Sequence, residues 1–294
     1  MLEFLHTTEG LTAVTGILGL LVGSFLNVVI LRLPARLMYS WRAQSREILE
    51  LDTDAGSSPP DSIEPPPGLV WEASHCPTCK HALGALENIP LLSWLALRGR
   101  CRHCRAPISA QYPLVELLSC VCSGLVAWKL GYGWGLVAGL FFTWALIALA
   151  GIDVHTQLLP DQITLPLLWL GLAISIVPLF IDSQSSIVGA AAGYLSLWLV
   201  YWAFKLVTGK EGMGYGDFKL LGALGAWMGA VSLIPIVLLS SLIGAIIGGS
   251  LLAIQGRDRA TPIPFGPFLA AAGWVQFVFA DQIFTAYHHA FGPL

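Results

Sequence analysis

Asp153, Asp161 and Asp217 stand at the edges of long apolar stretches, where an ionised side chain is costly and reads as functional by default. Asp217 closes the nine-residue loop Gly209-Lys210-Glu211-Gly212-Met213-Gly214-Tyr215-Gly216-Asp217. Alternate glycines at Gly212, Gly214 and Gly216 predict a backbone that takes φ > 0 and lets a substrate chain come close, rather than a packing role. Asp153 follows Gly151-Ile152 at the C-terminal end of an expected helix, where the helix dipole disfavours an anion. Asp161 follows Pro160 and opens an apolar run, the pattern of an N-cap. Between Asp153 and Asp217 the chain crosses out and back, so the two carboxylates are free to meet on one membrane face. Two such groups share a proton, and the pair can hold a water between a base and an acid to hydrolyse a peptide bond. The helix-dipole argument makes Asp217 the anion and base, and Asp153 the carrier of the shared proton. Proton-coupled transporters also place acids in membranes, so spacing alone keeps that alternative open.

A second chemical cluster lies upstream. Cys76-Pro77-Thr78-Cys79 and Cys101-Arg102-His103-Cys104 are two C-x₂-C knuckles with 21 residues between them. Four thiolates so spaced suit a tetrahedral Zn²⁺, as in zinc ribbons. The set Cys76, Cys79, Cys101 and Cys104 leaves no open coordination position, so the ion is expected to be structural. Disulfides are disfavoured on a reducing face. Cys120 and Cys122 fall in an apolar stretch and read as packing residues.

The composition fixes what must position these groups. Of 294 residues, 55% are apolar and 11% charged. Uncharged apolar runs recur at the length a hydrocarbon core demands. The runs predict eight spans, at about 11–31, 113–130, 134–152, 163–181, 186–207, 218–231, 233–254 and 266–286. The expected fold is an all-α polytopic membrane protein with a small cytoplasmic zinc-ribbon-like module between helices 1 and 2. Its divisions are a first transmembrane helix (1–33), the module with its four-cysteine zinc site (34–112) and a seven-helix membrane domain (113–294). Lys and Arg gather in 32–112, 153–162, 208–217 and 255–265 or at their membrane edges, which places those segments in the cytoplasm. Within the module, 41–71 is rich in charge, Ser and Pro and reads as an irregular tether. Glu116 reads as an anion at its own helix N-terminus, and Asp182 and Asp281 as outer-end residues meeting water. The formal net charge of −3 names no partner, and the sequence does not set the oligomeric state.

Taken together, these residues resemble a family. Gly-Tyr-Gly-Asp at 214–217, the loop from Asp153 to Pro160-Asp161, Gly23-Ser24-Phe25-Leu26-Asn27 with Arg32-Leu33-Pro34, and the paired knuckles are similar to the bacterial type IV prepilin peptidases. Glu87-Asn88-Ile89-Pro90-Leu91, Tyr112-Pro113-Leu114-Val115-Glu116 and Pro264-Phe265-Gly266-Pro267 match as well, in the expected order from about residue 16 to 275. The resemblance implies an intramembrane aspartyl endopeptidase with Asp153 and Asp217 as the catalytic pair. Its substrates would be prepilins and pseudopilins of type IV pili and type II secretion, cut after the Gly that precedes their hydrophobic helix. It also implies N-methylation of the new N-terminus with S-adenosylmethionine, associated with the module near Gly99, for which the residues alone offer no nucleotide-binding motif. The implied setting is the bacterial inner membrane, with both sites cytoplasmic and the bilayer and prepilins, not nucleic acid, as partners.

Overall fold

In a computed structural model that describes residues 7–49, 65–255 and 264–291, the chain is helical, with no strand among the described residues. Besides two short helical pieces at Ala85–Asn88 and Leu92–Ala96, the helices are α1 (Thr8–Ile48), α2 (Gln111–Leu130), α3 (Trp134–Thr156), α4 (Asp161–Ile174), α5 (Ser183–Thr208), α6 (Tyr215–Met228), α7 (Leu233–Gln255) and α8 (Gly266–Phe291). Each overlaps one expected span. Six of them are long and apolar enough to cross a membrane, so this is a multi-pass membrane protein. The other two, α4 and α6, have 14 residues each and reach only about 21 Å.

The short α6 occupies the centre. Every residue from Leu220 to Trp227 is buried, as are Asp217 and Phe218. Wrapped by protein rather than lipid, α6 need not match the bilayer thickness. Its neighbours come close because small residues face each other. Gly189 and Gly193 of α5 lie directly against the backbone of Gly225 and Leu221, and Trp227 fills the space left by Gly171 of α4 while donating its indole N–H to Leu167 O at 2.8 Å. Phe142, Phe180, Trp227 and Phe277 cluster around that anchor in tilted and edge-to-face contacts. A second seam joins α1 to α2. A Cβ at Gly19 would lie 2.6 Å from Ser119 O, and one at Gly23 2.7 Å from Glu116 Cα. On the far side of the bundle, Lys129 of α2 meets Asp281 of α8 at 2.9 Å, so Asp281 is paired rather than merely solvated. Asp182 N-caps α5 by accepting the Ser185 N–H.

The sequence misjudged the connection after the first span. Helix α1 continues past Leu31, through Pro34, to Ile48, so the reading of 41–71 as irregular fails at its start. Pro34 removes one helical hydrogen bond and crowds the preceding turn, yet the helix runs on to Ile48. The extension has a job: Arg32 donates to Gly68 O (2.7 Å), Glu72 O (3.0 Å) and Ala73 O (3.3 Å), and Arg36 to Pro66 O (3.0 Å). These bonds fasten the cysteine module to α1. The remainder of the expected tether, at 50–64, lies outside the described residues.

Candidate active site

The carboxylate Asp153 sits in the last turn of α3, and Asp217 in the first turn of α6. Both are buried, at 5% and 8% exposure, and they are close enough for the charge of one to act on the other. The two acids singled out by spacing are therefore brought together at one end of the bundle.

Three contacts position them. The Asp153 Oδ2 accepts the backbone N–H of Gly266 at 3.0 Å, the first residue of α8. A Cβ at Gly266 would lie 2.7 Å from that same oxygen, so only glycine permits the approach. Leu159, from the α3–α4 loop, packs between Gly216 and Gly266, where added Cβ atoms would come within 2.7 and 3.2 Å of its side chain. Lys219 of α6 grips both oxygens of Asp161, at 2.7 and 2.8 Å, and ties α4 to α6 two residues beyond Asp217.

Several expectations change. Pro160 is the N-cap of α4, and Asp161 is its first helical residue, turned towards Lys219 instead of capping. Gly212, Gly214 and Gly216 do not have positive φ; in this stretch only Gly209 does, at 70°. Packing accounts for two of the three. A Cβ at Gly212 would lie 2.8 Å from the Phe204 ring, and one at Gly216 would strike Leu159. Gly214, the N-cap of α6, has open space around it. Beside it, Lys205 donates to Glu211 (2.8 Å) and Tyr201 (3.2 Å), a cluster the sequence did not suggest; the ammonium holds the Glu211 carboxyl below its usual range. The Gly266 N–H was also missed, although Pro264-Phe265-Gly266-Pro267, a glycine between prolines ahead of a helix, was the available signal.

The four knuckle sulfurs of Cys76, Cys79, Cys101 and Cys104 lie within 4.8 Å of one another. Two of them, Cys76 and Cys104, are 3.8 Å apart. That matches the edge of a tetrahedron with metal–sulfur bonds of about 2.3 Å, so the donor set fits a metal ion. The knuckles are copies of each other. The Lys80 backbone N–H donates to Cys76 O and the Arg105 backbone N–H to Cys101 O, both at 2.9 Å, and Lys80 and Arg105 both have positive φ. Antiparallel bridges His75–Ala82 and Arg100–Pro107 close each loop, and His81 and His103 stack at 4.4 Å. Backbone N–H groups of Cys79 and Thr78 lower the Cys76 thiol to about 6, while burial and the neighbouring thiols push Cys79 up to about 11.

Gly99 has φ +68° and lies against Trp94, whose ring would be 2.9 Å from an added Cβ. Glu116 is buried in α2 and accepts the Leu91 N–H at 2.8 Å. It therefore anchors the strained Leu91 (φ 58°) of the module rather than its own helix end.

Comparison with known proteins bears directly on this arrangement. Residues 17–130 match the bacterial peptidase A24 N-terminal domain, and residues 140–249 match the type IV leader peptidase family. A protein of Xanthomonas campestris pv. campestris named prepilin leader peptidase/N-methyltransferase is 53% identical over 96% of both chains. Proteins of the same name from Aeromonas hydrophila (55% identical; 90% of this chain, 89% of the relative) and Pseudomonas aeruginosa (51%; 93% and 92%) are also similar. No solved structure matches the chain. With one family model over the cysteine module, a second spanning both aspartates, and half-identical relatives along nearly its whole length, the chain belongs to the type IV leader peptidase family.

Proposed function

We infer that this protein is a membrane aspartyl endopeptidase and N-methyltransferase that removes the short basic leader of prepilins and pseudopilins after Gly, then methylates the exposed N-terminal amine. The observation that carries the reading is the buried pairing of Asp153 with Asp217, with Asp153 fixed by the Gly266 N–H. The Lys and Arg distribution supports a bacterial inner-membrane protein with the aspartates and the module facing the cytoplasm. Residues 1–33, 34–112 and 113–294 then serve as first span, module and protease domain, the module's leading part being the helical extension of α1.

The Gly266 contact supports a division of labour opposite to the one expected from helix dipoles. Asp153 ends its own helix but sits at the N-terminus of α8, where a backbone donor and the positive dipole end both favour its charged form. Asp153 is therefore the base that takes a proton from the attacking water. Asp217, which repels it, carries the shared proton and donates a hydrogen bond to the scissile carbonyl. As the tetrahedral intermediate collapses, the C–N bond breaks with its electron pair going to nitrogen, and Asp153 passes the proton taken from water to that departing amine, the new N-terminus of the pilin, while Asp217 keeps its own. Gly214 leaves open space beside Asp217 for the substrate backbone, and Gly212 and Gly216 shape the rest of that loop.

The Cys76, Cys79, Cys101 and Cys104 site holds Zn²⁺ as a structural cross-link between the two knuckles. S-adenosylmethionine, when bound, supplies the methyl group: the amine nitrogen forms the N–C bond, the electron pair of the broken S–C bond stays on sulfur, and a proton leaves the nitrogen. The reading is tested with purified protein and a synthetic prepilin segment, following leader release and then transfer of labelled methyl. Release after Gly, followed by label on the new N-terminus, is expected. An intact substrate would overturn it.

A further inference from the structure

A groove of about 290 Å3 runs between α7 and the start of α8, walled by Ser241, Gly244 and Ala245 on one side and by Pro264, Phe265 and Phe268 on the other. Small residues shape it. A Cβ at Gly244 would lie 3.3 Å from the Phe268 ring, so the two helices touch there, while Ser241 and Ala245 on the same stretch stay exposed. Leu238, Leu242 and Ile246 of α7 are exposed as well. In a multi-pass membrane protein such an apolar surface faces lipid, so the groove opens sideways out of the bundle. Its inner edge reaches the active site. Phe265 directly precedes Gly266, whose N–H binds Asp153 Oδ2 at 3.0 Å. Neither aspartate lines the groove, so the carboxylate pair does not account for its shape.

We propose that this groove docks the first turn of the substrate's hydrophobic helix as it enters from the bilayer, an assignment that rests on the endopeptidase reading above. The cut falls directly before an apolar helix, so the residues after the scissile bond stay in lipid while the bond itself must reach Asp153 and Asp217. Both carboxylates are buried, and a bond arriving from the bilayer needs a lateral way in. The groove supplies one that ends beside Asp153. Lipid is as apolar as the substrate helix, so docking gains little from the hydrophobic effect and depends on close packing. Ser241, Gly244 and Ala245 are the small residues that let a helix backbone approach closely. The volume falls just short of the range of about 300–1,000 Å3 that whole small-molecule ligands occupy, which suits the flank of a helix. A second copy of this chain seated there would shut the entrance instead of using it, and a lipid chain has no peptide bond to deliver.

The test uses full-length protein in lipid nanodiscs with a synthetic prepilin segment that carries a photoreactive residue in the first turn of its hydrophobic helix. Ultraviolet cross-links are mapped by peptide sequencing. Label on peptides containing Ser241 to Ala245 or Phe265 to Phe268 is expected. Label confined to other helices, from a segment that the wild type still cleaves, overturns the docking site and leaves the endopeptidase reading intact. A segment neither cross-linked nor cleaved overturns both. Ala245→Leu supplies a second readout, because it fills the groove from an exposed position. The KM for the segment should rise by about tenfold or more, the scale of a misfit in an apolar pocket, with most of the loss in kcat/KM lying in KM. A KM equal to that of the wild type contradicts the assignment. If the same variant instead changes the oligomeric mass with KM unaltered, the groove belongs to a second copy and the proposal falls.

Discussion

The carboxylate end of the bundle and the cysteine module are both polar sites, but they are assembled in opposite ways. Asp153, Asp217 and Gly266 come from three helices far apart in the chain and meet only because glycines let those helices and Leu159 close on one another. The module is local: two short loops repeat the same turn, and four sulfurs converge from one stretch of sequence, residues 76–104. The first site depends on helix packing throughout the bundle, whereas the second depends on its four convergent sulfurs and on its bonds to α1 and α2. Damage to one is expected to leave the other largely working, and this is the most useful handle on the molecule.

The largest break is at the carboxylates. Asp153→Asn and Asp217→Asn should each reduce leader release by at least about a thousandfold in a purified assay, the scale of a lost acid–base group, while metal content stays unchanged. Gly266→Ala comes next. Its Cβ would meet Asp153 Oδ2 at 2.7 Å, and a displaced catalytic group of this kind costs about a hundredfold, with wild-type metal content retained. Removing the ion with a chelator, or changing Cys101→Ser, sharpens the comparison from the other side. Methyl transfer should fall by about tenfold or more as the module loosens, with leader release affected far less. Equal loss of both activities would mean that the two sites are one unit. The smallest effect belongs to Asp161→Asn: its bond to Lys219 is partly exposed, and such pairs contribute about 1 kcal/mol or less. Cleavage should stay within about fivefold of wild type, by the conversion of about 1.4 kcal/mol per tenfold.

What could be read from the chain divides along the same line. The eight helices were legible because apolar runs report burial, in lipid for the six of spanning length and in protein for α6, and the cysteine cluster because its spacing is local. Asp153 and Asp217 were legible as a pair from topology. The Gly266 N–H that Asp153 accepts was not, since it arrives from a helix beginning 113 residues beyond Asp153. The same blindness to long-range contact made Glu116 a helix-end anion instead of the anchor of Leu91, and Asp161 an N-cap instead of the partner of Lys219. Gly212 and Gly216 were read as conformational freedom when they are absences of side chain facing Phe204 and Leu159. Pro34 marked no helix end because Arg32 and Arg36 secure the extension to backbone that no periodicity reveals.

The central claim, that Asp153 and Asp217 act as one device around a single water, is tested most directly by the double variant. Leader release should be measured for Asp153→Asn, Asp217→Asn and both together. Groups that work as a unit are strongly non-additive, so the double variant is predicted to be no slower than either single one. A double variant slowed by the product of the two single effects would show two independent contributions and contradict the account.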